Sequence, residues 1–195
     1  MKARRRRGAR ALGAAWLALL ASGCAGSEGL RDNVPELSER RVWRPVRLGW
    51  VSSERPSGAL PGAIALGGPG SGRVLVYLEF PEPQRGRKLV RAQLWLSTTG
   101  PSEPIDVELS RAGAAGPQLV TWSDRPLARY PSVSAKLGGG AGRQSLDVSE
   151  LLSAPAAVGE PLRVLLRAEP DGAEPVLLET GADGGSAPRL ELYWL

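Results

Sequence analysis

Arg73-Val74-Leu75-Val76-Tyr77-Leu78-Glu79-Phe80 is the stretch that decides the fold. Val74, Val76, Leu78 and Phe80 recur at period two, so an extended chain puts all four on one face. The alternate row, Arg73, Leu75, Tyr77 and Glu79, is mixed in polarity and points the other way. Downstream, Leu89 to Ser97 repeats the pattern, with Val90, Ala92, Leu94 and Leu96 expected inward and Arg91, Gln93, Trp95 and Ser97 outward. Ile105-Asp106-Val107-Glu108-Leu109-Ser110 alternates as cleanly. Leu162 to Ala168 and Arg189 to Leu195 follow, with Leu162, Val164, Leu166 and then Leu190, Leu192, Trp194 on the apolar faces.

Between these runs lie Pro81-Glu82-Pro83, Gly100-Pro101, Gly113 to Pro117, Gly138 to Gly142, Pro170-Asp171-Gly172 and Asp183-Gly184-Gly185, residues that end strands and start turns. Short strands with one apolar and one mixed face bury themselves by packing two sheets together, which predicts an all-β, antiparallel β-sandwich. Two helical segments are expected: a single turn from Ser149 to Ser153 with Ser149 as its cap, and a short helix over Glu36 to Arg41.

The 195 residues carry one Cys and no His, which excludes Ser-His-Asp and Cys-His nucleophile pairs and His-ligated zinc or iron. The excess of 25 Lys and Arg over 20 Asp and Glu is concentrated at one end: Lys2, Arg4, Arg5, Arg6, Arg7 and Arg10 precede an uncharged stretch from Ala11 to Ala21. A basic segment followed by eleven mostly apolar residues matches a secretory signal and is too short to span ~30 Å of hydrocarbon; the competing reading is a short buried N-terminal helix. Leu20-Ala21-Ser22-Gly23-Cys24 resembles the lipobox of bacterial lipoproteins. That resemblance implies cleavage before Cys24, acylation of its thiol (diacylglycerol and palmitate) and a lipid anchor in the cell envelope. Ala25 after the cysteine resembles the outer-membrane-sorted pattern, facing either periplasm or surface. Cleavage at an Ala-x-Ala-like site by the ordinary signal peptidase is the alternative.

Residues 1–23 are thus expected to be a lipoprotein signal peptide, 24–41 the lipidated Cys24 with a polar tether, and 42–195 the β-sandwich domain. Removing the first 23 residues leaves 19 basic against 20 acidic residues, a net charge of −1, so the basicity belongs to the discarded peptide. No zinc-finger spacing or aromatic-basic motif remains to support nucleic-acid binding. With no disulfide framework, the exported domain is stabilised by its core alone.

Five segments in order carry a further resemblance: Arg73 to Phe80; Leu89-Val90-Arg91-Ala92-Gln93-Leu94-Trp95-Leu96; Val120-Thr121-Trp122-Ser123-Asp124-Arg125-Pro126; Leu146-Asp147-Val148-Ser149-Glu150-Leu151-Leu152; and Pro188-Arg189-Leu190-Glu191-Leu192-Tyr193. Together they resemble the DNRLRE family, the disaggregatase-related, carbohydrate-binding-module type of jelly-roll domain, over roughly residues 44 to 195. The pattern shared is a long strand ending in Phe, an Ala-x-Leu-x-Leu strand, a Thr-Trp-x-x-x-Pro turn, an Asp-Val-Thr segment (Ser149 replaces Thr here) and a closing Pro-x-Leu strand. The resemblance implies a jelly-roll-like sandwich that is not an enzyme and that in some members binds polysaccharide.

Alternation supplies the candidate binding residues. Trp95 shares its face with Arg91 and Gln93, and Tyr77 and Tyr193 also fall on non-core faces. An aromatic plate beside groups that bond hydroxyls suits a pyranose, whose C–H face packs on the ring. The competing reading has Trp95 covering a sheet face under a loop, and the competing function is a structural or protein-contact module of the envelope. Trp122 and Trp194 are expected to be buried, while Trp43 and Trp50 fit either role. Glu79 and Glu82 form the nearest carboxylate pair and are expected to be solvated. No metal site is expected and no cofactor is implied; Asp171 and Asp183 beside glycines leave a structural Ca²⁺ open, without an EF-hand loop.

Overall fold

The computed structural model describes residues 39–54, 59–82, 88–100, 103–114, 121–138, 140–153, 160–170, 174–182 and 186–195. The expectations for residues 1–23, for Cys24 and the tether as far as residue 38, and for Asp171 and Asp183 lie outside these residues. Two antiparallel sheets pack face to face as a jelly-roll-like β-sandwich. Sheet A runs β1 (Glu39–Trp43), β11 (Arg189–Trp194), β5 (Leu89–Thr99), β10 (Val176–Glu179), β3 (Ala63–Leu66), with β8 (Gly142–Asp147) also paired to β5. Because β11 pairs Leu89 to Trp95 of β5 and β10 pairs Thr98 and Thr99, those two strands lie end to end along one edge of β5, and β8 takes the other. Sheet B runs β2 (Arg47–Ser52), β4 (Val74–Phe80), β9 (Leu162–Ala168), β6 (Pro104–Ala112), β7 (Ala128–Gly138).

The period-two rows make the shared core. Val76, Leu78, Phe80, Leu94, Leu96, Leu109, Val164, Leu166, Leu190 and Leu192 are all fully buried. Each such aliphatic or aromatic side chain stabilises the fold by about 1.5–3 kcal/mol relative to exposure. Pairing aligns these rows across strands, Val76 opposite Leu166 and Leu94 flanked by Leu190 and Leu146. Trp194 joins the core at 4 % exposure, and Trp43 and Trp50 pack half-buried against it.

Four expectations need correction. Val90 is 39 % exposed rather than inward: the β5–β11 register shifts beside it, so Leu89 packs on the core and Val90 is the extra residue of a bulge. Residues Glu39 to Arg41 extend as β1 against β11 instead of coiling into a helix, so the sandwich begins within the stretch assigned to the tether. The third correction concerns the helical turn α1 (Ser149–Ser153), which is capped by Asp147 rather than Ser149. Asp147 Oδ1 accepts the Ser149 N–H at 2.9 Å and its hydroxyl at 2.6 Å. Ser149 Oγ instead accepts the Ala92 N–H at 2.9 Å and ties the turn to β5. Fourth, Trp122 is only half-buried, on the outside of sheet B.

Strands without a long alternating signal complete the sheets. β7 contains Pro131, tolerated because β7 is an edge of sheet B and needs no second ladder. It ends at Gly138, whose φ of +103° is strained for any other residue and where a Cβ would lie 2.8 Å from Val176 Cγ2, too close without a shift.

Candidate functional site

The outer face of sheet A is a lattice of polar and aromatic side chains fixed by strand register. Directly opposite residues of antiparallel strands share a face, so three rows cross the sheet. The first is Arg189, Trp95 and Ser145. Val42, Glu191, Gln93 and Asp147 form the second, and Arg40, Tyr193 and Arg91 the third. Four strands at ~4.8 Å spacing make this lattice roughly 14 Å across.

At its centre, Glu191 is a carboxylate only 1 % exposed, outside the hydrophobic core. Arg40 Nη2 and Arg189 Nη2 each lie 2.9 Å from its Oε1, and the Tyr193 hydroxyl donates to its Oε2 at 2.9 Å. Burial alone would raise the Glu191 pKa, but the hydrogen bonds from Arg40 and Tyr193 and the charges of Arg40 and Arg189 outweigh it and hold the carboxyl below its usual range. For Tyr193, burial and the bond to Glu191 push the phenol up. At the β8 border, Arg91 Nε approaches Asp147 Oδ2 at 3.6 Å. The Asp147 carboxyl is lowered: burial opposes this, and the bonds from Ser149 outweigh it, helped by the Arg91 charge.

Glu191 also positions the aromatic plate through Arg189. The Arg189 guanidinium carbon lies 5.0 Å from the Trp95 ring centroid, a cation–π stack. Within the two stacked groups, Trp95 Nε1 and Arg189 Nε are both buried without a hydrogen-bond partner. An unmet buried donor costs about 1–3 kcal/mol, so the fold bears that cost at this pair. The Gln93 amide, one row away, makes no side-chain hydrogen bond among the described residues. The arrangement offers donors, a ring and an amide to a neutral or acidic hydroxylated ligand.

Of the five sequence candidates, Trp95, Arg91, Gln93 and Tyr193 are brought together here. Tyr77 is not. It lies on the outer face of sheet B, 1 % exposed, in a second apolar cluster with Val51, Leu75, Ala112 and Leu165. Its hydroxyl donates to Glu79 Oε2 at 2.5 Å, and burial, reinforced by that bond, raises it to about 12. Glu79, expected in water, is 20 % exposed and also receives Arg163 Nε at 3.1 Å. Although burial would raise the Glu79 pKa, bonds from Tyr77 and Arg163 outweigh it and lower the value, the reverse of what a glycosidase general acid requires.

Sequence reasoning did not include Arg40, Ser145 or Asp147 in the site. Arg40 fell within the assigned tether, and β8 carries one buried apolar residue, Leu146, too short an alternation to mark a strand. No group of three or more His, Cys, Asp or Glu that could hold a metal occurs among the described residues.

No family model and no curated protein sequence matches this chain. Among solved structures, it is similar to TmCBM61, a carbohydrate-binding module, in complex with β-1,4-galactotriose, at 15 % identity and a TM-score of 0.28, over 82 % of this chain and 86 % of that one.

Proposed function

We propose that the domain is a non-catalytic polysaccharide-binding module that uses the outer face of sheet A. The observation that carries this reading is the Trp95–Arg189 stack, with two unpartnered buried donors beside the unengaged Gln93 amide. A pyranose would pack against the Trp95–Arg189 pair, its hydroxyls bonding Gln93 and Arg91. The resemblance to the DNRLRE family supports the same ligand class. We further propose that residues 1–23 direct export and that acylated Cys24 anchors the domain in the bacterial outer membrane.

Affinity electrophoresis of the full chain in gels containing neutral and acidic polysaccharides tests the binding. Retardation by at least one glycan, lost in Trp95→Ala, is expected. Unchanged mobility in every glycan, or retardation that survives Trp95→Ala, overturns the sheet A assignment. Mass spectrometry of the membrane-extracted protein tests the anchor: a mass increment of acyl chains on Cys24, absent from Cys24→Ser, is expected.

A second reading, contact with another envelope protein, is favoured by the β7 edge of sheet B, where Tyr130 is 91 % exposed and Leu127, just before the strand, is 74 % exposed. Cross-linking from Tyr130 that captures a protein while no glycan retards the chain would favour it over sugar binding.

A further inference from the structure

The outer face of sheet B carries a concavity of about 270 Å³, with Leu75 and Leu165 below, Trp122 at one side, and Glu108, Ser110 and Arg125 around them. This volume lies just under the ~300–1,000 Å³ typical of pockets for drug-sized ligands, which suits a single sugar ring. The wall is a preorganised turn. Thr121 Oγ1 donates to Asp124 Oδ2 at 2.5 Å, the Asp124 N–H returns to the Thr121 carbonyl at 3.2 Å, and the Gly113 N–H holds the Leu127 carbonyl at 3.0 Å. Trp122 packs on the apolar cluster beneath, which is why a residue expected to be buried instead borders a pocket.

The charges decide the ligand. Arg73 and Arg167 also reach the rim. Arg73 pairs with Glu169 at 2.9 Å, and Arg167 bonds Glu169 and approaches Glu108 at 3.6 Å. Arg125 differs from both. Its guanidinium stacks 4.8 Å from the Trp122 centroid and donates to the Trp122 carbonyl at 2.8 Å, and it has no carboxylate partner among the described residues. Asp124, the nearest acid in sequence, is engaged by Thr121. Three guanidinium groups therefore surround the concavity against Glu108 and Glu169, with one cation fixed in place and uncompensated. The apolar floor accepts a ring's C–H face, and Glu108 and Ser110 offer acceptors to hydroxyls.

We infer that this concavity is a second site, independent of sheet A, that binds a hexuronate residue of an acidic polysaccharide, with Arg125 taking the carboxylate. Trp122 and Leu165 hold the ring. A plain aromatic carboxylate would satisfy Arg125 but leave Glu108 and Ser110 without hydroxyl donors.

Isothermal titration of the full chain with D-glucuronate, D-glucose and benzoate tests this, together with the Trp122 indole N–H resonance. Expected are saturable binding of glucuronate at least tenfold tighter than glucose and benzoate, and a shifted Trp122 resonance. Arg125→Gln should weaken glucuronate at least tenfold and abolish the Trp122 shift, with Arg125→Lys intermediate, while Trp95→Ala leaves the glucuronate-induced Trp122 shift unchanged. Equal affinity for glucuronate and glucose, benzoate binding as well as glucuronate, or an Arg125→Gln variant that binds normally overturns the inference. Loss of glucuronate binding and of the Trp122 shift in Trp95→Ala would assign the ligand to sheet A instead.

Discussion

Replacing Glu191 by Gln removes a negative charge from a position 1 % exposed, on which Arg40, Arg189 and Tyr193 converge. Gln preserves the volume and one carbonyl acceptor, so no cavity opens and the perturbation is electrostatic. Removing one partner of a buried ion pair costs about 3–5 kcal/mol. Here the arginines are not fully buried. Arg40, 56 % exposed, recovers most of its loss from water, and Arg189, 29 % exposed, recovers less. The expected destabilisation is therefore about 2–4 kcal/mol, below the fully buried case. At about 2–4 °C per kcal/mol for a domain of this size, 3 kcal/mol corresponds to a Tm lower by about 6–12 °C.

Acid gives a second readout of the same residue. The Glu191 carboxyl is held below its ordinary value of about 4.3 by its hydrogen bonds and the two guanidinium charges, against the opposing effect of burial. A carboxyl depressed in the folded state stabilises in full above its unfolded pKa and loses that contribution as the pH falls through the folded pKa. The gap between the wild type and Glu191→Gln should thus be full at about pH 7 and shrink below about pH 4, since Gln has no proton to gain. Urea melts followed by far-ultraviolet circular dichroism at neutral and acid pH measure both. A difference under about 0.5 kcal/mol at neutral pH, the size of an ordinary surface substitution, refutes the reasoning. So does a gap that persists undiminished in acid.

Leu166→Ala should cost about 2–5 kcal/mol in a denaturant melt, because Leu166 is fully buried in the core opposite Val76; a loss under about 1 kcal/mol counts against a close-packed interior. Gly138→Ala combines a positive φ with a methyl 2.8 Å from Val176 Cγ2, and should lower stability by about 2–4 kcal/mol; a neutral thermal melt contradicts that geometry. Tyr77, raised to about 12 by burial and its bond to Glu79, should contribute stability that is complete below about pH 10 and lost as the pH rises toward 12. Ultraviolet difference titration of the wild type against Tyr77→Phe isolates that phenol, and an ionisation near pH 10 would show that Tyr77 is not buried against Glu79.

Period-two alternation settled which side of β4, β6, β9 and β11 faces the core, because a half-buried strand writes its orientation into every second residue. The same rule put Trp95, Arg91 and Gln93 on one face and Tyr193 outside the core. Alternation stops at the strand's own edge. It could not say that Tyr193 would join Trp95 on sheet A while Tyr77 faced the other way on sheet B, since that depends on which strands pair. Nor could it place Arg40 against Glu191, residues 151 positions apart, or foresee that a register shift turns Val90 outward. Local side-chain order determined strand identity and inward faces; long-range pairing alone decided which outward residues meet, because neighbours across a sheet are set by register and not by nearness along the chain.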